Sequence, residues 1–109
     1  MSLADILRER EAKAEAHRLS AVAEARRLTA FLRKRFEFEA IYLFGSVLSR
    51  RFRRRSDLDM AIKGLKPQDF FKAYAFLIRE SAYTIDLKPF EDMPEDMQEK
   101  IEREGERIG

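Results

Sequence analysis

The sequence contains no cysteine, no tryptophan and a single histidine, and it has only four glycines and three prolines. Without cysteine the chain can form neither a disulfide scaffold nor a thiolate zinc site. No apolar run approaches the ~20 residues that a membrane-spanning helix needs. The first residues, from Met1 to Asp5, do not have the pattern of a signal peptide. We therefore expect a soluble cytoplasmic protein with no membrane partner.

The 109 residues are 45% hydrophobic and include nine phenylalanines, which is enough for one domain with one core. The net charge of +2 hides an uneven distribution of charges. Residues 50–55 contain five arginines, whereas residues 91–109 contain eight acidic and three basic residues. The Arg50–Arg55 run could bind phosphates, nucleic acid or an acidic partner, or simply be solvated. The acidic tail and the low net charge make nucleic acid the weaker alternative. Phe52, within the run, could stack on a base or fold onto the core.

Hydrophobic periodicity predicts a helix over residues 2–35, in one or two pieces, because this stretch lacks Gly and Pro and is rich in Ala, Glu, Arg and Leu. Apolar runs predict strands at residues 40–44, 57–62 and 83–90. A helical turn with Ser46 near its N-cap follows the first strand, and further helices are expected at residues 67–79 and 95–107. This order of elements predicts a small α/β or α+β domain with three to four strands in one sheet.

Two regions of these helices carry specific expectations. Between Ile6 and Leu19 the apolar stripe of the first helix thins to alanines, so residues 1–24 are interpreted as an extension that binds a partner or a second copy, and residues 25–109 as the main domain. His17 lies in this polar stretch and is expected to be solvated. The helix that starts at Pro67 is predicted to bury one stripe, formed by Phe70, Phe71, Tyr74, Ala75, Leu77 and Ile78.

Three carboxylates lie on predicted strands. Asp57 and Asp59 are two residues apart, so both side chains leave the same face of their strand, opposite Leu58 and Met60. Adjacent carboxylates on an otherwise apolar strand repel each other unless a cation neutralises them. Oxygen ligands without His or Cys favour Mg²⁺ or Mn²⁺. If the strand of Asp86 is the neighbour, all three carboxylates converge and supply the ligands of a two-metal site for phosphoryl or nucleotidyl transfer.

Gly45 and Ser46 provide the second half of such a site. They follow a strand and open a helical turn, where backbone N–H groups can approach an anion closely. Gly45 has no Cβ to block a triphosphate, and the Ser46 hydroxyl can donate to a phosphate oxygen or cap the turn. We interpret this turn as a candidate phosphate cradle.

The combination Gly45-Ser46, ten residues, then Asp57-x-Asp59 resembles the signature of the polymerase-beta-like nucleotidyltransferase superfamily. The chain looks most like its minimal nucleotidyltransferase (MNT) group over about residues 25–108. The resemblance implies a small mixed sheet flanked by helices. It also implies that Gly45 and Ser46 bind ATP, that Asp57, Asp59 and Asp86 bind Mg²⁺, and that Asp86 accepts the proton of the attacking hydroxyl.

MNT proteins commonly act as antitoxins of a helical HEPN toxin. The resemblance therefore implies a protein adenylyltransferase that transfers AMP from ATP to a hydroxyl, a Tyr of that toxin. The alternative is a binding module that neutralises its partner by forming a complex, with an idle site. One departure concerns the loop after Ser46: the family often has Arg followed by Gly, whereas Ser49 and Arg50 stand at these positions here. Nucleotide specificity and oligomeric state stay open.

Overall fold

The computed structural model of the protein describes all residues from Met1 to Gly109. It is an α+β fold with three helices, α1 (Leu3–Arg33), α2 (Phe70–Glu80) and α3 (Glu95–Glu104). The four strands are β1 (Ala40–Phe44), β2 (Leu58–Lys63), β3 (Ile85–Pro89) and β4 (Glu106–Arg107). Short 3₁₀ turns span Gly45–Leu48, Pro67–Asp69 and Phe90–Asp92. None of the helices combines the length and apolar character needed to cross a membrane.

Helix α1 is one unbroken helix rather than two. Ser2 caps its first turn: the Ser2 hydroxyl oxygen accepts from the Asp5 backbone N–H, and the Asp5 carboxylate accepts from the Ser2 backbone N–H. Ion pairs one turn apart, such as Glu24 with Arg27, support its exposed face. No residue before Ala21 is buried, so the fully buried positions of α1 all lie in its second half. The predicted division at residue 24 falls inside this continuous helix and stays a prediction.

The four strands form one mixed sheet in the order β3-β2-β1-β4. Strand β1 pairs antiparallel with both β2 and β4, whereas β2 and β3 run parallel and are joined through α2. The main core lies between one sheet face and helices α1 and α2, and it includes Leu28, Leu43, Met60 and Leu77. A second, smaller apolar cluster lies on the opposite face, where Ile101 of α3 is buried.

The carboxyl-terminal end differs from the predicted helix over residues 95–107. Helix α3 ends at Glu104, and Glu106 and Arg107 pair with Leu43 and Tyr42 of β1 as strand β4. The extended backbone of Gly105 makes the change of direction. A strand of two residues is too short to show a period of two, so the sequence pattern contained no signal for it.

Helix α2 buries part of the predicted stripe, because Leu77 is fully buried and Phe70 and Tyr74 pack against the main core. The prediction is wrong for Phe71, Ala75 and Ile78, which are exposed. Its core residues are Ala73, Phe76 and Leu77, whereas Phe71 is 81% and Ile78 59% exposed. Most of this helix is apolar, so composition did not specify which face packs on the sheet. Ala75 is also exposed, and Phe70 and Tyr74 are half-buried.

Phe52 and His17 form an unexpected contact between the arginine-rich loop and α1. Phe52 is 1% exposed, so its ring is part of the core and is not available to stack on a base. Its ring stacks on His17 with 5.4 Å between centroids, and Tyr83 lies on His17 at 5.3 Å. The expectation of a solvated His17 is therefore wrong, because this pair of rings covers it.

Phe52→Ala is expected to lower the free energy of unfolding by about 3–5 kcal/mol, because it removes a fully buried ring. Phe71→Ala is the matched control and should change it by less than about 1 kcal/mol, since that ring faces solvent. Urea unfolding followed by circular dichroism measures both. Equal losses in the two variants would contradict the anchoring of the loop by Phe52.

Candidate active site

The register of the sheet sets three side chains in one row. Phe44 of β1 is opposite Asp59 of β2, and Asp59 is opposite Asp86 of β3. Side chains opposite each other on paired strands share a face. Met60 and Leu87 point the other way, into the core beneath the helices. The two carboxylates therefore stand on the sheet face that α1 and α2 leave uncovered, as the sequence predicted for neighbouring strands.

Gly45 directly follows Phe44 in the chain and lies against the side chain of Asp59. Its backbone has a φ of +76°, a conformation that side chains disfavour. A Cβ at this position would overlap Oδ2 of Asp59. The chain therefore requires glycine here for both conformation and space. Ser46 lies within the 3₁₀ turn and is half-buried. No side chain caps this turn, so the expected capping by Ser46 is not observed.

The electrostatics of the row are those of crowded negative charge. Burial raises the pKa of Asp59, Asp86 raises it further, and Asp57 adds a smaller effect in the same direction. Lys88 opposes these effects in part. Asp57 precedes β2, and its side chain is exposed. Asp57 is therefore not part of the paired row, although its charge contributes to the raised pKa of Asp59.

Lys88 is a site residue that the sequence reasoning missed. Its Nζ donates to Oδ2 of Asp86 at 2.6 Å, and this hydrogen bond raises the pKa of Lys88. The signal was available, because Lys88 is two residues from Asp86 on the same strand and therefore on the same face. The ammonium group neutralises part of the carboxylate charge.

The donor set fits a hard cation, but the side chains are not arranged as a finished metal centre. Asp57, Asp59 and Asp86 offer only oxygen atoms, which Mg²⁺ and Mn²⁺ prefer. Lys88 pairs with Asp86, and Asp59 has no ion pair within the chain. No group of three or more His, Asp or Glu side chains has ligand geometry as it stands.

The arginine-rich loop leads from the Gly45 turn to β2. Arg50, Arg51, Arg54 and Arg55 are exposed around the buried Phe52. Arg53 is exposed as well, and its guanidinium donates to the backbone oxygens of Arg50 and Phe52. The loop therefore presents positive charge to solvent on a backbone that is held from within.

Comparison with known proteins agrees with this geometry. Residues 26–109 match the family model described as polymerase beta, nucleotidyltransferase. A search of curated proteins finds no match. The chain belongs to the polymerase beta nucleotidyltransferase family, with a nucleotidyltransferase-type function. The sheet, the glycine turn and the carboxylate row described above all lie within the matched residues.

Asp59→Asn is expected to raise the melting temperature of the metal-free protein at pH 7. The pKa of Asp59 is raised in the folded state, so its contribution to stability is complete below the unfolded pKa of ~3.9 and is lost as pH rises through the folded pKa. The neutral amide avoids that loss. Thermal unfolding of both proteins between pH 7 and pH 4 should therefore show a gap that closes toward acid.

Asp92→Asn, which replaces an exposed carboxylate in the Phe90–Asp92 turn, is the control and should follow the wild-type curve. A gap for Asp59→Asn that stays constant with pH would show that charge repulsion is not its origin.

Proposed function

We propose that the protein is an Mg²⁺-dependent adenylyltransferase that transfers AMP from ATP to a tyrosine hydroxyl of a partner HEPN toxin. The observation that carries the catalytic part is the pairing of Asp59 with Asp86 directly beside Gly45, within a chain of nucleotidyltransferase family. The partner and the acceptor rest on the resemblance to MNT antitoxins.

Each residue of the site has a defined role in this proposal. Gly45 and Ser46 hold the triphosphate, and the absent Cβ of Gly45 leaves the approach to Asp59 open. Asp57, Asp59 and Asp86 would hold one or two Mg²⁺ ions, with Mn²⁺ as a substitute. Such ions supply charge neutralisation at the phosphates when bound.

The transfer itself balances without a further reactant. The acceptor hydroxyl oxygen forms a bond to the α-phosphorus of ATP, and the bond between that phosphorus and the bridging oxygen to the β-phosphate breaks. Pyrophosphate leaves with the electron pair, and Asp86 takes the hydroxyl proton. The contact of Lys88 with Oδ2 of Asp86 must open for this, or the proton goes to the other carboxylate oxygen.

Exposed apolar side chains support a macromolecular acceptor. In the first half of α1, Leu3 is 72%, Leu7 48% and Leu19 53% exposed, and Phe71 of α2 is 81% exposed. Leu3 and Leu7 are four residues apart and therefore share one face of α1, and large apolar side chains grouped on a surface are typical of interaction sites. They support a partner protein or a second copy equally.

The alternative is neutralisation by binding alone, and one observation favours it. Lys88 neutralises Asp86 within the chain, as would suit a site that no longer recruits a cation. Catalysis remains the better supported function, because Asp59 and Asp86 stand opposite each other beside Gly45, whereas Lys88 is hydrogen-bonded to Asp86 alone.

The decisive experiment uses ATP labelled at the α-phosphate, Mg²⁺ and a HEPN protein encoded beside this chain. We expect label on a tyrosine of the partner, and a loss of about a thousandfold or more in the double variant Asp57→Ala, Asp59→Ala. The double variant Asp92→Ala, Glu99→Ala also removes two exposed carboxylates and should retain the activity.

A folded protein that binds the partner but transfers no label would contradict the catalytic proposal. If the Asp57→Ala, Asp59→Ala variant still neutralised the toxin, the sequestration alternative would be favoured instead.

A further inference from the structure

A pocket of about 290 Å³ lies between the Gly45–Leu48 turn and helix α3. Gly45 lines this pocket and also lies against the Asp59 carboxylate, so the pocket adjoins the carboxylate row at this glycine. The pocket has two kinds of lining side chain, apolar walls and two charged groups, namely Phe44, Leu48, Met97 and Ile101 with Lys100 and Glu104. The family match gives no role to any of them.

The register places this pocket on the functional face of the sheet. Phe44 is opposite Asp59, so its ring stands on the same face as the carboxylates. Phe44 also packs against the apolar cluster that contains Ile101 of α3. A ligand with phosphates at Gly45 would therefore have its other end beside an apolar cleft.

The walls of the pocket suit a flat aromatic ring. Phe44 and Leu48 are half-buried, whereas Met97 is 38% exposed and leaves apolar surface uncovered. Aromatic rings stack favourably on phenylalanine and pack well against a methionine sulfur.

The two charged side chains offer a ligand one hydrogen-bond donor, Lys100, and one acceptor, Glu104. Lys100 and Glu104 are four residues apart and therefore on one face of α3. Lys100 makes no salt bridge, and the cation nearest to Glu104, Arg103, is 3.8 Å away, which is beyond hydrogen-bond distance. Both groups are free to bind a ligand.

We propose that this pocket holds the nucleobase of the nucleotide and selects adenine over guanine. The inference rests on the proposed function, which puts the triphosphate at Gly45. Adenine presents a ring nitrogen acceptor beside an exocyclic amine donor, matching Lys100 and Glu104. Guanine presents two acceptors on the same edge, and its carbonyl oxygen would face the Glu104 carboxylate.

The test is equilibrium binding by calorimetry, in Mg²⁺, of ATP, GTP and inorganic tripolyphosphate. The wild-type protein should bind ATP at least about tenfold more tightly than either other ligand, as one lost hydrogen bond to a charged group implies. Glu104→Gln should bring ATP and GTP close to equal affinity, because an amide can donate to the guanine oxygen. Met97→Ala should weaken ATP and leave tripolyphosphate unchanged.

Glu99→Gln is the matched control, since it removes the same charge from α3 at a residue that does not line the pocket. It should keep the ratio of ATP to GTP affinity. This control separates base recognition from a general change in the field around the phosphates.

Three results would overturn the inference. Equal binding of ATP and tripolyphosphate would show that no base is held, while the proposed function would stand. A preference for ATP that survives both Glu104→Gln and Met97→Ala would place the base elsewhere. A folded wild-type protein that binds neither ligand would remove the proposed function along with the base site.

Discussion

The burial of alternate residues on β2 fixes which way Asp59 points, and the site depends on that direction. Leu58, Met60 and Ile62 fill the core beneath α1 and α2. A slip of one residue would place the carboxylate in this core and expose the apolar set, which costs far more than any charge arrangement at the surface. The burial of these apolar side chains therefore fixes the position of Asp59, although its carboxylate is repelled by that of Asp86.

That position brings two like charges opposite each other on adjacent strands, which destabilises a sheet. The structure offsets the repulsion locally, through Lys88 on the same face as Asp86. The pKa of Asp59 is nevertheless raised, first by burial and then by the nearby Asp86. Features that break local rules in this way are concentrated at functional sites. Glycine at position 45 follows the same logic, because its positive φ disfavours other residues and its missing Cβ leaves the space beside Asp59 open.

The sequence predicted what local pattern determines. Strand β1 and the long first helix follow from periodicity. The approach of Asp59 to Asp86 was predicted only on the condition that their strands are neighbours, which the pairing of β2 with β3 fulfils. The exposed face of Phe71, strand β4 and the covering of His17 by Phe52 were not predictable, because each depends on which distant residues meet. Lys88 was readable from strand alternation alone. The metal, the nucleotide and the partner protein are separate molecules that the fold alone does not specify, and they stay predictions.

The contact between Phe52 and His17 also fixes the position of helix α1 relative to the loop that leads to the carboxylates. Residues 17 and 18 of α1 are held against the loop that leads from the glycine turn to Asp57, because His17 stacks on Phe52 and Arg18 donates to the backbone oxygen of Val47 at 3.2 Å. The exposed apolar residues Leu3 and Leu7 lie further along the same rigid helix. A macromolecular acceptor bound there would have its position fixed relative to the carboxylates by one helix and one anchored loop. Loss of that anchor would separate binding from transfer even with every carboxylate intact.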